Sequence, residues 1–257
     1  MSDDILSRTP PPADARVEYG EDPHQFGDVR LPKNKPLAAI VMNIHGGYWR
    51  NKYDLAHAGH LCAALSENGL LTWNVEYRRV GDPGGGWPGS ISDIQAAYQF
   101  VPQLAKRFQF KADRVIVMGH SAGGQLALCL AAREPALKTV VSLAGVLDLQ
   151  RAWELHLSND AVVGFLGGTP KQNSANYAAA DPMQLHIAAA EQVIVHGTKD
   201  DVVPPDFSRK YYEAKSRRGE HVKLLEIENA DHFDLIDPRS AAWGKVEEAV
   251  LSLAGTP

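Results

Sequence analysis

The chain has 257 residues, of which 44% are hydrophobic and 22% are charged, and its formal net charge is −5. This length fits one or two domains, and the composition is that of a packed globular protein, which excludes a disordered or fibrous chain. The mild negative charge argues against a general nucleic-acid-binding protein, because such a protein needs a basic surface.

The remaining global features favour a cytoplasmic protein. The two cysteines, Cys62 and Cys129, do not form a Cys-x-x-Cys pair, so neither a disulfide framework nor a cysteine-based zinc site is expected. No run of about 18 apolar residues occurs, as a membrane-spanning helix would require. Residues 1–16 lack the apolar core of a signal peptide. We therefore expect a cytoplasmic location and no membrane partner.

The predicted elements begin after an irregular start. Residues 1–16 contain three consecutive prolines, Pro10, Pro11 and Pro12, which cannot together begin a helix or enter a central strand. This pattern predicts a flexible N-terminal arm. No linker or internal repeat divides the rest, so residues 17–257 are interpreted as one domain.

From Leu37 onward, short apolar runs alternate with longer amphipathic ones. The apolar runs predict strands, which in chain order are Leu37–Ile44, Leu70–Tyr77, Arg114–Met118, Lys138–Ala144, Gln192–His196 and Val222–Ile227. Apolar spacings of three and four predict helices, which are Asp54–Asn68, Ser90–Phe108, Ala122–Arg133, Phe207–Arg218 and Pro238–Leu253. Strands that alternate with helices of this length are typical of an α/β fold with a mostly parallel central sheet and helices on both faces.

Residues 148–190 interrupt this alternation, because they contain no clear strand. Trp153, Phe165 and Tyr177 are among their apolar residues. A segment of this length between two sheet strands is either a lid over a site or a packed connection. We interpret it as a small lid insertion.

The strongest motif is Gly119-His120-Ser121-Ala122-Gly123, which lies between a predicted strand and a predicted helix. This is the context of the G-x-S-x-G nucleophile elbow, in which a tight strand-to-helix turn presents the serine hydroxyl. Glycines two residues before and after the serine leave room for that turn. A glycine-rich turn with a helix-capping serine is the plainer alternative, whereas a dinucleotide-binding loop would need a different glycine spacing. The motif predicts that Ser121 is a nucleophile.

A serine hydroxyl needs a base, and in this architecture an acid and a histidine follow the serine in chain order. Asp200 follows the fifth predicted strand, and His232 follows the sixth. Asp201 competes with Asp200, and each residue alone could be a turn carboxylate or an exposed loop histidine. Their order and their positions at strand ends make coincidence improbable. We predict a triad of Ser121, Asp200 and His232, in which the histidine is the base and the carboxylate orients it.

The segment His45-Gly46-Gly47-Tyr48-Trp49 directly follows the first predicted strand. Its two glycines allow the loop to bring backbone N–H groups close to a substrate carbonyl, where they stabilise the negative charge that develops during acyl transfer. We predict that Gly47 and Tyr48, together with Ala122 next to the nucleophile, donate to an oxyanion hole. A simple β-turn is the alternative for this loop.

Three tryptophans are candidates for a substrate pocket, because such sites are mainly apolar and aromatic. They are Trp49, Trp87 and Trp153, although aromatic residues are more often plain core. His57 and His60 lie three apart on a predicted helix, but no H-E-x-x-H or similar ligand pattern accompanies them. We therefore expect no metal and no cofactor.

Two supporting interactions are also expected. His120 and His196 stand near strand ends, and we interpret them as residues that pack or hydrogen-bond around the site. Arg78 and Asp93 are interpreted as a structural ion pair.

Taken together, HGGYW, GHSAGG, HGTKDDVVP and DHF resemble the motifs of the α/β-hydrolase superfamily. Within it, H-G-G-x-W resembles the serine-type kynurenine formamidases (arylformamidases) and small esterases of the hormone-sensitive-lipase kind, and Glu76-Tyr77-Arg78 with Trp87-Pro88 and Asp93 resembles the same esterases. The resemblance covers about residues 37–245. It implies an α/β-hydrolase fold and hydrolysis of a small acyl ester or an aryl formamide, with N-formylkynurenine as the named substrate of the formamidases.

The sequence therefore predicts a serine carboxylesterase or formamidase that forms an acyl-enzyme on Ser121. One alternative is a peptidase of the prolyl-oligopeptidase type, which usually carries an additional gating domain. Another is a non-catalytic ligand receptor on a hydrolase scaffold, which typically lacks a triad member. The expected partner is a small-molecule ester or formamide, and a homodimer is left open.

Overall fold

The computed structural model describes residues 2–255 and contains a central β-sheet flanked by helices. In chain order the strands are β1 (Ala15–Glu18), β2 (Phe26–Arg30), β3 (Ala39–Ile44), β4 (Leu71–Val75), β5 (Arg114–His120), β6 (Thr139–Leu143), β7 (Glu191–Gly197) and β8 (Val222–Ile227). The helices are α1 (Gly59–Glu67), α2 (Gly89–Arg107), α3 (Ala122–Arg133), α4 (Leu149–Glu154), α5 (Ala161–Leu166), α6 (Ser174–Ala180), α7 (Asp206–Arg217) and α8 (Trp243–Ala254). Two 3₁₀ helices, Ser2–Leu6 and Leu55–Ala58, precede β1 and α1. Residue 1 of the predicted arm and residues 256–257 of the predicted domain lie outside the described residues.

The strand order in the sheet is β1-β2-β4-β3-β5-β6-β7-β8. All pairs from β4 to β8 are parallel, whereas β2 pairs antiparallel with both β1 and β4. The carboxyl ends of parallel strands meet at one edge of a sheet, where open α/β folds bind their ligands. The loops after β3, β5, β7 and β8 therefore share one edge, and they carry the candidate site.

Apolar residues cover both faces of the sheet. In β3, Ile40, Met42 and Ile44 belong to one apolar cluster, while Ala39 and Val41 belong to a second cluster. The alternation follows from the two-residue period of a strand. Helices α2, α3 and α7 contribute to the first cluster, and α1 and α8 contribute to the second. The prediction of a mostly parallel sheet with helices on both faces is confirmed.

Most predicted elements are confirmed to within a few residues, and α3 and β8 have the predicted bounds. The predicted helix over Asp54–Asn68 starts as a 3₁₀ turn before α1. The last helix starts at Trp243 rather than Pro238, because residues 238–242 form turns in which Ser240 Oγ accepts a hydrogen bond from the Trp243 amide. Strands β1 and β2 were not predicted.

Residues 2–16 are docked on the body of the protein, and the flexibility predicted for this arm stays a prediction. Ile5 is fully buried in the second apolar cluster, and Ala15 is paired with Val29 of β2. Arg30 donates a hydrogen bond to the Pro11 carbonyl at 2.7 Å. The prolines prevent regular structure, but they do not prevent docking, because an extended segment can pack through its side chains and carbonyl groups.

The insertion at residues 148–190 folds as α4, α5 and α6 between β6 and β7. Phe165 and Tyr177 are buried in the first apolar cluster, and Gln125 of α3 donates a hydrogen bond to the Ala180 carbonyl at 2.8 Å. Ser158 of this segment lines the cavity described below. The segment is thus packed on the body and also reaches the site, and its role as a lid stays a prediction.

Candidate active site

Ser121 occupies a strained turn between β5 and α3. Its φ of 56° and ψ of −119° lie in a sparsely populated region, at a cost of about 1–3 kcal/mol that surrounding contacts must offset. The Ser121 amide donates to the Leu143 carbonyl at 2.8 Å, which ties the turn to β6. Gly119 and Gly123 permit the turn, because a Cβ on Gly119 would lie 2.1 Å from the Gly123 carbonyl oxygen. The local geometry is that of the predicted elbow.

His232 is oriented by a carboxylate. Its Nδ1 lies 2.7 Å from Oδ2 of Asp200, which follows β7. Both side chains are almost fully buried. Asp201, the competing carboxylate, is exposed, so the geometry selects Asp200 as the partner of the histidine.

Asp200 accepts hydrogen bonds on both oxygens. Oδ1 receives the amides of Val202 and Val203 at 2.9 and 2.8 Å, and His196 Nε2 lies 3.1 Å from Oδ2. Burial alone would raise the pKa of Asp200, but the hydrogen bonds from His196 and His232 outweigh it and lower the pKa well below its usual range. Asp200 is therefore a carboxylate across the neutral range.

His196 is a second imidazole that contacts the Asp200 carboxylate. Its Nε2 faces the Asp200 carboxylate and the Val203 carbonyl, while Nδ1 lies 2.6 Å from the Ser208 hydroxyl. Because Nε2 faces only acceptors, we assign the proton to Nε2 and let Nδ1 accept from Ser208. The expectation that His196 hydrogen-bonds around the site is confirmed.

Ser121 and His232 line one cavity of about 230 Å³ at the carboxyl edge of the sheet. Neither Ser121 Oγ nor His232 Nε2 has a hydrogen-bond partner among residues 2–255. A free hydroxyl and a free imidazole nitrogen therefore belong to side chains that share one cavity, while the other imidazole nitrogen is held by Asp200.

Gly47 and Tyr48 line the same cavity, and Ala122 directly follows Ser121 in the chain. Within residues 2–255, the N–H groups of Gly47, Tyr48 and Ala122 make no hydrogen bond. Gly47 and Tyr48 have φ values of 109° and 49°, and Ala122 begins α3, where the first amides of a helix lack partners within the helix. The Tyr48 hydroxyl donates to the Val202 carbonyl at 2.9 Å, which fastens this loop to the Asp200 loop. An oxyanion hole formed by these unpartnered amides stays a prediction.

A buried ion pair lies beneath the loop after β3. His45 Nε2 lies 2.8 Å from Glu76 Oε1, and His45 Nδ1 lies 2.8 Å from the Gly46 carbonyl. Arg79 also pairs with Glu76 at 3.0 Å, and the His45 ring stacks on Tyr77. Burial raises the pKa of Glu76, but His45 and Arg79 lower it further than burial raises it.

This role of Glu76 is not among the sequence-based predictions, although the sequence contains a signal for it. Strands β3 and β4 are parallel neighbours in which Ile44 is paired with Val75, so the residues that follow them, His45 and Glu76, come together. A histidine and a carboxylate at matching ends of adjacent strands predict this pair once the register is known.

The cavity lining is mainly apolar and carries little charge. Besides the residues above it includes Leu6, Tyr53, His57, His120, Ser158, Val202 and Phe233. Burial lowers the pKa of His57 to about 3, and burial followed by repulsion from His232 lowers the pKa of His120 well below its usual value. Both rings are therefore neutral near pH 7, and no Asp, Glu, Lys or Arg side chain of residues 2–255 lines the cavity. His120 also lies 3.0 Å from the His232 carbonyl, as expected for a supporting residue.

The three predicted pocket tryptophans do not line this cavity. Trp49 is fully buried, stacks on Phe165 at 4.4 Å and donates to Gln125 at 2.9 Å. Trp87 packs its edge against Phe165, and Trp153 is half-buried against the same core. The prediction is wrong because residue type alone does not distinguish a residue of a pocket wall from a core residue. The three tryptophans pack in or against the core, which was the alternative interpretation.

Other predicted features can be placed as well. Arg78 donates to Asp93 through Nε and Nη2 at 2.9 and 2.6 Å, so the predicted ion pair is confirmed. His60 lies 3.3 Å from the Arg8 carbonyl. Within residues 2–255, no group of three or more His, Cys, Asp or Glu side chains is arranged to hold a metal ion. In the same part of the chain, no helix combines the length and apolar character needed to cross a membrane.

The sheet order and the serine elbow at its carboxyl edge define the class as an α/β-hydrolase. The family model BD-FAE matches residues 28–214, and the chain belongs to this family. The predicted α/β-hydrolase fold and the resemblance to esterases and formamidases are thereby confirmed.

Known proteins similar to this chain include esterases and a formamidase. It is 26% identical over 273 residues to the probable isoprenylcysteine alpha-carbonyl methylesterase ICMEL1 of Arabidopsis thaliana, a match over 92% of this chain and 55% of that protein. It is 25% identical over 233 residues to kynurenine formamidase of Danio rerio, over 86% of this chain and 75% of that protein. The chain spans about half to three-fifths of the length of the first curated relatives it matches.

A solved structure supports the fold assignment. Esterase B of Lactobacillus rhamnosis, crystallised with a tributyrin phosphonate inhibitor, superposes with a TM-score of 0.80 over 98% of this chain and 89% of that chain. The two sequences are 16% identical, so the likeness concerns the fold. By family and fold, the protein is an esterase-like α/β-hydrolase.

Proposed function

We propose that this protein is a serine hydrolase that cleaves small uncharged acyl esters through an acyl-enzyme on Ser121. One observation carries the proposal: Ser121 and His232 share a cavity, with Oγ and Nε2 unpartnered among residues 2–255, while Asp200 holds Nδ1. A nucleophile, a base and a group that orients the base are the minimum for activated serine chemistry.

In the first half of the reaction, the Ser121 hydroxyl attacks the ester carbonyl and His232 Nε2 takes its proton. Asp200 fixes the tautomer with hydrogen on Nδ1 and stabilises the imidazolium that forms. The tetrahedral intermediate collapses when the imidazolium gives its proton to the departing alcohol. The acyl group is then bonded to Ser121.

The free amides stabilise the charge that develops. Negative charge builds on the carbonyl oxygen as the tetrahedral intermediate forms, and the N–H groups of Gly47, Tyr48 and Ala122 are its donors. In a known case, removal of one such donor lowers turnover by about 10²–10³. The His45–Glu76 pair and the Tyr48–Val202 hydrogen bond fix the loop that holds two of these donors.

In the second half, water attacks the acyl-enzyme and His232 again acts as the base. The acid is released, and Ser121 regains its proton. The scheme uses no cofactor and no metal, because the side chains and amides supply every proton transfer and the charge stabilisation.

The cavity favours an uncharged ester over a charged formamide. It is apolar for the most part, and its His57 and His120 rings are neutral near pH 7. A substrate with an ionised amino-acid group would lose hydration in such a cavity without a paired charge. Aryl formamide hydrolysis remains the second candidate, since kynurenine formamidase of Danio rerio is a relative.

The test compares Ser121→Ala with the wild-type protein. We expect the wild type to hydrolyse p-nitrophenyl acetate and the variant to lose activity by a factor on the order of 10⁶, as for the serine of another triad. The exposed substitution Ser252→Ala is the matched control and should keep full activity. Circular dichroism checks the fold of each variant, and unchanged hydrolysis by Ser121→Ala would refute the proposal.

Two further measurements separate the remaining alternatives. A fluorophosphonate probe should label Ser121, whereas a non-catalytic receptor would not react. A panel of short-chain esters, aryl formamides, N-formylkynurenine and a prolyl peptide substrate separates esterase from formamidase and peptidase. We expect the neutral short-chain esters to give the highest kcat/KM.

A further inference from the structure

The N-terminal 3₁₀ helix sits beside the candidate active site. Its Ile5 is fully buried in the second apolar cluster, which also contains Leu235. The next residue, Leu6, is 37% exposed and lines the cavity that contains Ser121 and His232. The buried neighbour anchors the segment, and the exposed leucine faces the cavity.

Two ion pairs fasten this segment to the loop that carries His232. Arg8 Nη2 lies 2.9 Å from Asp237 Oδ1, with both side chains mostly buried. Arg239 Nη2 lies 3.0 Å from Asp4 Oδ2 and 3.2 Å from Asp237 Oδ2. One pair lies on each side of Leu6 in the sequence, so the leucine is held between two attachments to the loop after β8.

A third attachment joins the segment to the helix region behind the cavity. His60 lies 3.3 Å from the Arg8 carbonyl, and Pro10 packs so closely on Gly59 that a Cβ on that glycine would lie 2.7 Å from the proline ring. His57, in the 3₁₀ turn just before, lines the same cavity. The segment around Leu6 is therefore fixed to two of the elements that surround the cavity.

We propose that Leu6 is a specificity-determining residue whose side chain forms a wall of the substrate pocket and limits the length of the apolar group that Ser121 can process. The inference rests on the proposed hydrolase function and names the part of the chain that sets its substrate range. Phe233 and Tyr53 line the same cavity, so its wall combines aromatic rings with an aliphatic side chain.

The expected effect follows from the size of the side chain. Leu6→Ala removes three carbon atoms from the wall, and one methylene in an apolar pocket is worth about 10-fold or more in discrimination. This variant should therefore raise the ratio of kcat/KM for long to short substrates by about 10-fold. Leu6→Trp should lower the same ratio by a similar factor, because the larger ring fills the space.

The experiment measures kcat/KM for two series of neutral esters. The first series varies the acyl chain of p-nitrophenyl esters from acetate to octanoate, and the second varies the alcohol of acetate esters from methyl to hexyl. If a Leu6 variant changes the long-to-short ratio of kcat/KM in the first series, the acyl group lies against Leu6. If it changes that ratio in the second series, the alcohol group does. Leu155→Ala is the matched control, because Leu155 is equally exposed at 38% but lines a different cavity. It should leave both series unchanged.

Failure of this inference differs from failure of the proposed function. If the wild type hydrolyses the esters and Ser121→Ala does not, but both Leu6 variants keep the wild-type ratios, the role of Leu6 is refuted alone. If Ser121→Ala keeps activity, the serine mechanism is refuted. In that case calorimetric titration of 2-pentanone and 2-undecanone, two ketones that cannot be hydrolysed, into the wild type and into Leu6→Ala still tests the wall, because it needs no turnover. An unchanged ratio of Kd values there would overturn the inference.

Discussion

Asp200 remains charged in a setting almost free of water because four donors face it. Two are backbone amides, of Val202 and Val203, and two are imidazole nitrogens, of His196 and His232. A buried carboxylate without such partners would become protonated. One oxygen of Asp200 is therefore held by backbone amides, and the other is shared by His196 and by His232, the histidine that Asp200 orients.

The first prediction at this scale compares two adjacent carboxylates. Asp200→Asn places an amide opposite His232 Nδ1 and favours the wrong tautomer, so kcat should fall by about 10⁴ as in a related triad. Asp201→Asn changes an exposed side chain and should stay within about threefold of the wild type. Steady-state kinetics on p-nitrophenyl acetate measure both, and equal losses in the two variants would contradict the assignment of Asp200.

The sequence predicts the chemical roles of these residues better than it predicts which residues surround them. It predicts Ser121 and His232 because each stands at the end of an apolar strand, a position that the fold puts at the edge of the sheet. It predicts Asp200 and keeps Asp201 as a competitor, since the burial and hydrogen bonding that distinguish the two carboxylates come from the fold. It misplaces Trp49, because the partner that holds the indole, Gln125, lies 76 residues away and is brought close only by the fold.

At the scale of elements, helix α3 approaches the sheet unusually closely at its first turn. Gly123 is fully buried, and a Cβ there would lie 2.1 Å from the Ile44 carbonyl oxygen at the end of β3. This contact brings the nucleophile turn next to the loop with the free amides. The site can adopt this geometry only because residue 123 is a glycine and has no side chain.

The second prediction compares alanine substitutions at two glycines that lie in helices. Gly123→Ala should destabilise the fold by several kcal/mol, because backbone atoms must move to make space. Gly244→Ala in α8 should stabilise it by up to about 1 kcal/mol, since nothing lies within 4 Å of the added Cβ and alanine favours the helix. Urea unfolding of each variant measures the change in the free energy of unfolding, and the same sign for both would refute the argument.

How well the sequence predicts a strand depends on how much of that strand is buried. Strand β3 is buried along its whole length, and its sequence is an apolar run with Asn43 as its one polar residue. Strand β1 has four residues, only Val17 of which is buried, and β2 contains a glycine and two charged residues. These two strands, one at the edge of the sheet and one next to it, carry little apolar signal, and their pairing is determined by contacts that the local sequence does not contain.

At the scale of the whole molecule, we expect pH to act on stability through a buried acid that is not part of the triad. Asp181 follows α6 and is almost fully buried. Burial, and then repulsion from Asp148, raise the pKa of Asp181 from 3.8 to about 6. The folded state therefore holds a proton at pH values where the unfolded state has already released it.

The third prediction follows from this linkage. Because the folded pKa lies above the unfolded one, the contribution of Asp181 to the free energy of unfolding is most favourable below pH 4 and declines as the pH rises to about 6, by about 3 kcal/mol in all. The wild type should lose stability relative to Asp181→Asn over that interval. Urea unfolding of both proteins at several pH values measures the difference, and a difference that does not change with pH would contradict the shift.

The groups of the candidate site come from loops after β3, β5, β7 and β8, which are spread from residue 45 to residue 232. No short fragment of the chain contains them all, and their spacing depends on the register of the parallel strands between them. Regain of ester hydrolysis after dilution from denaturant should therefore mark the late assembly of the sheet rather than early helix formation. The rate of ester hydrolysis would then measure how much of the protein has refolded completely.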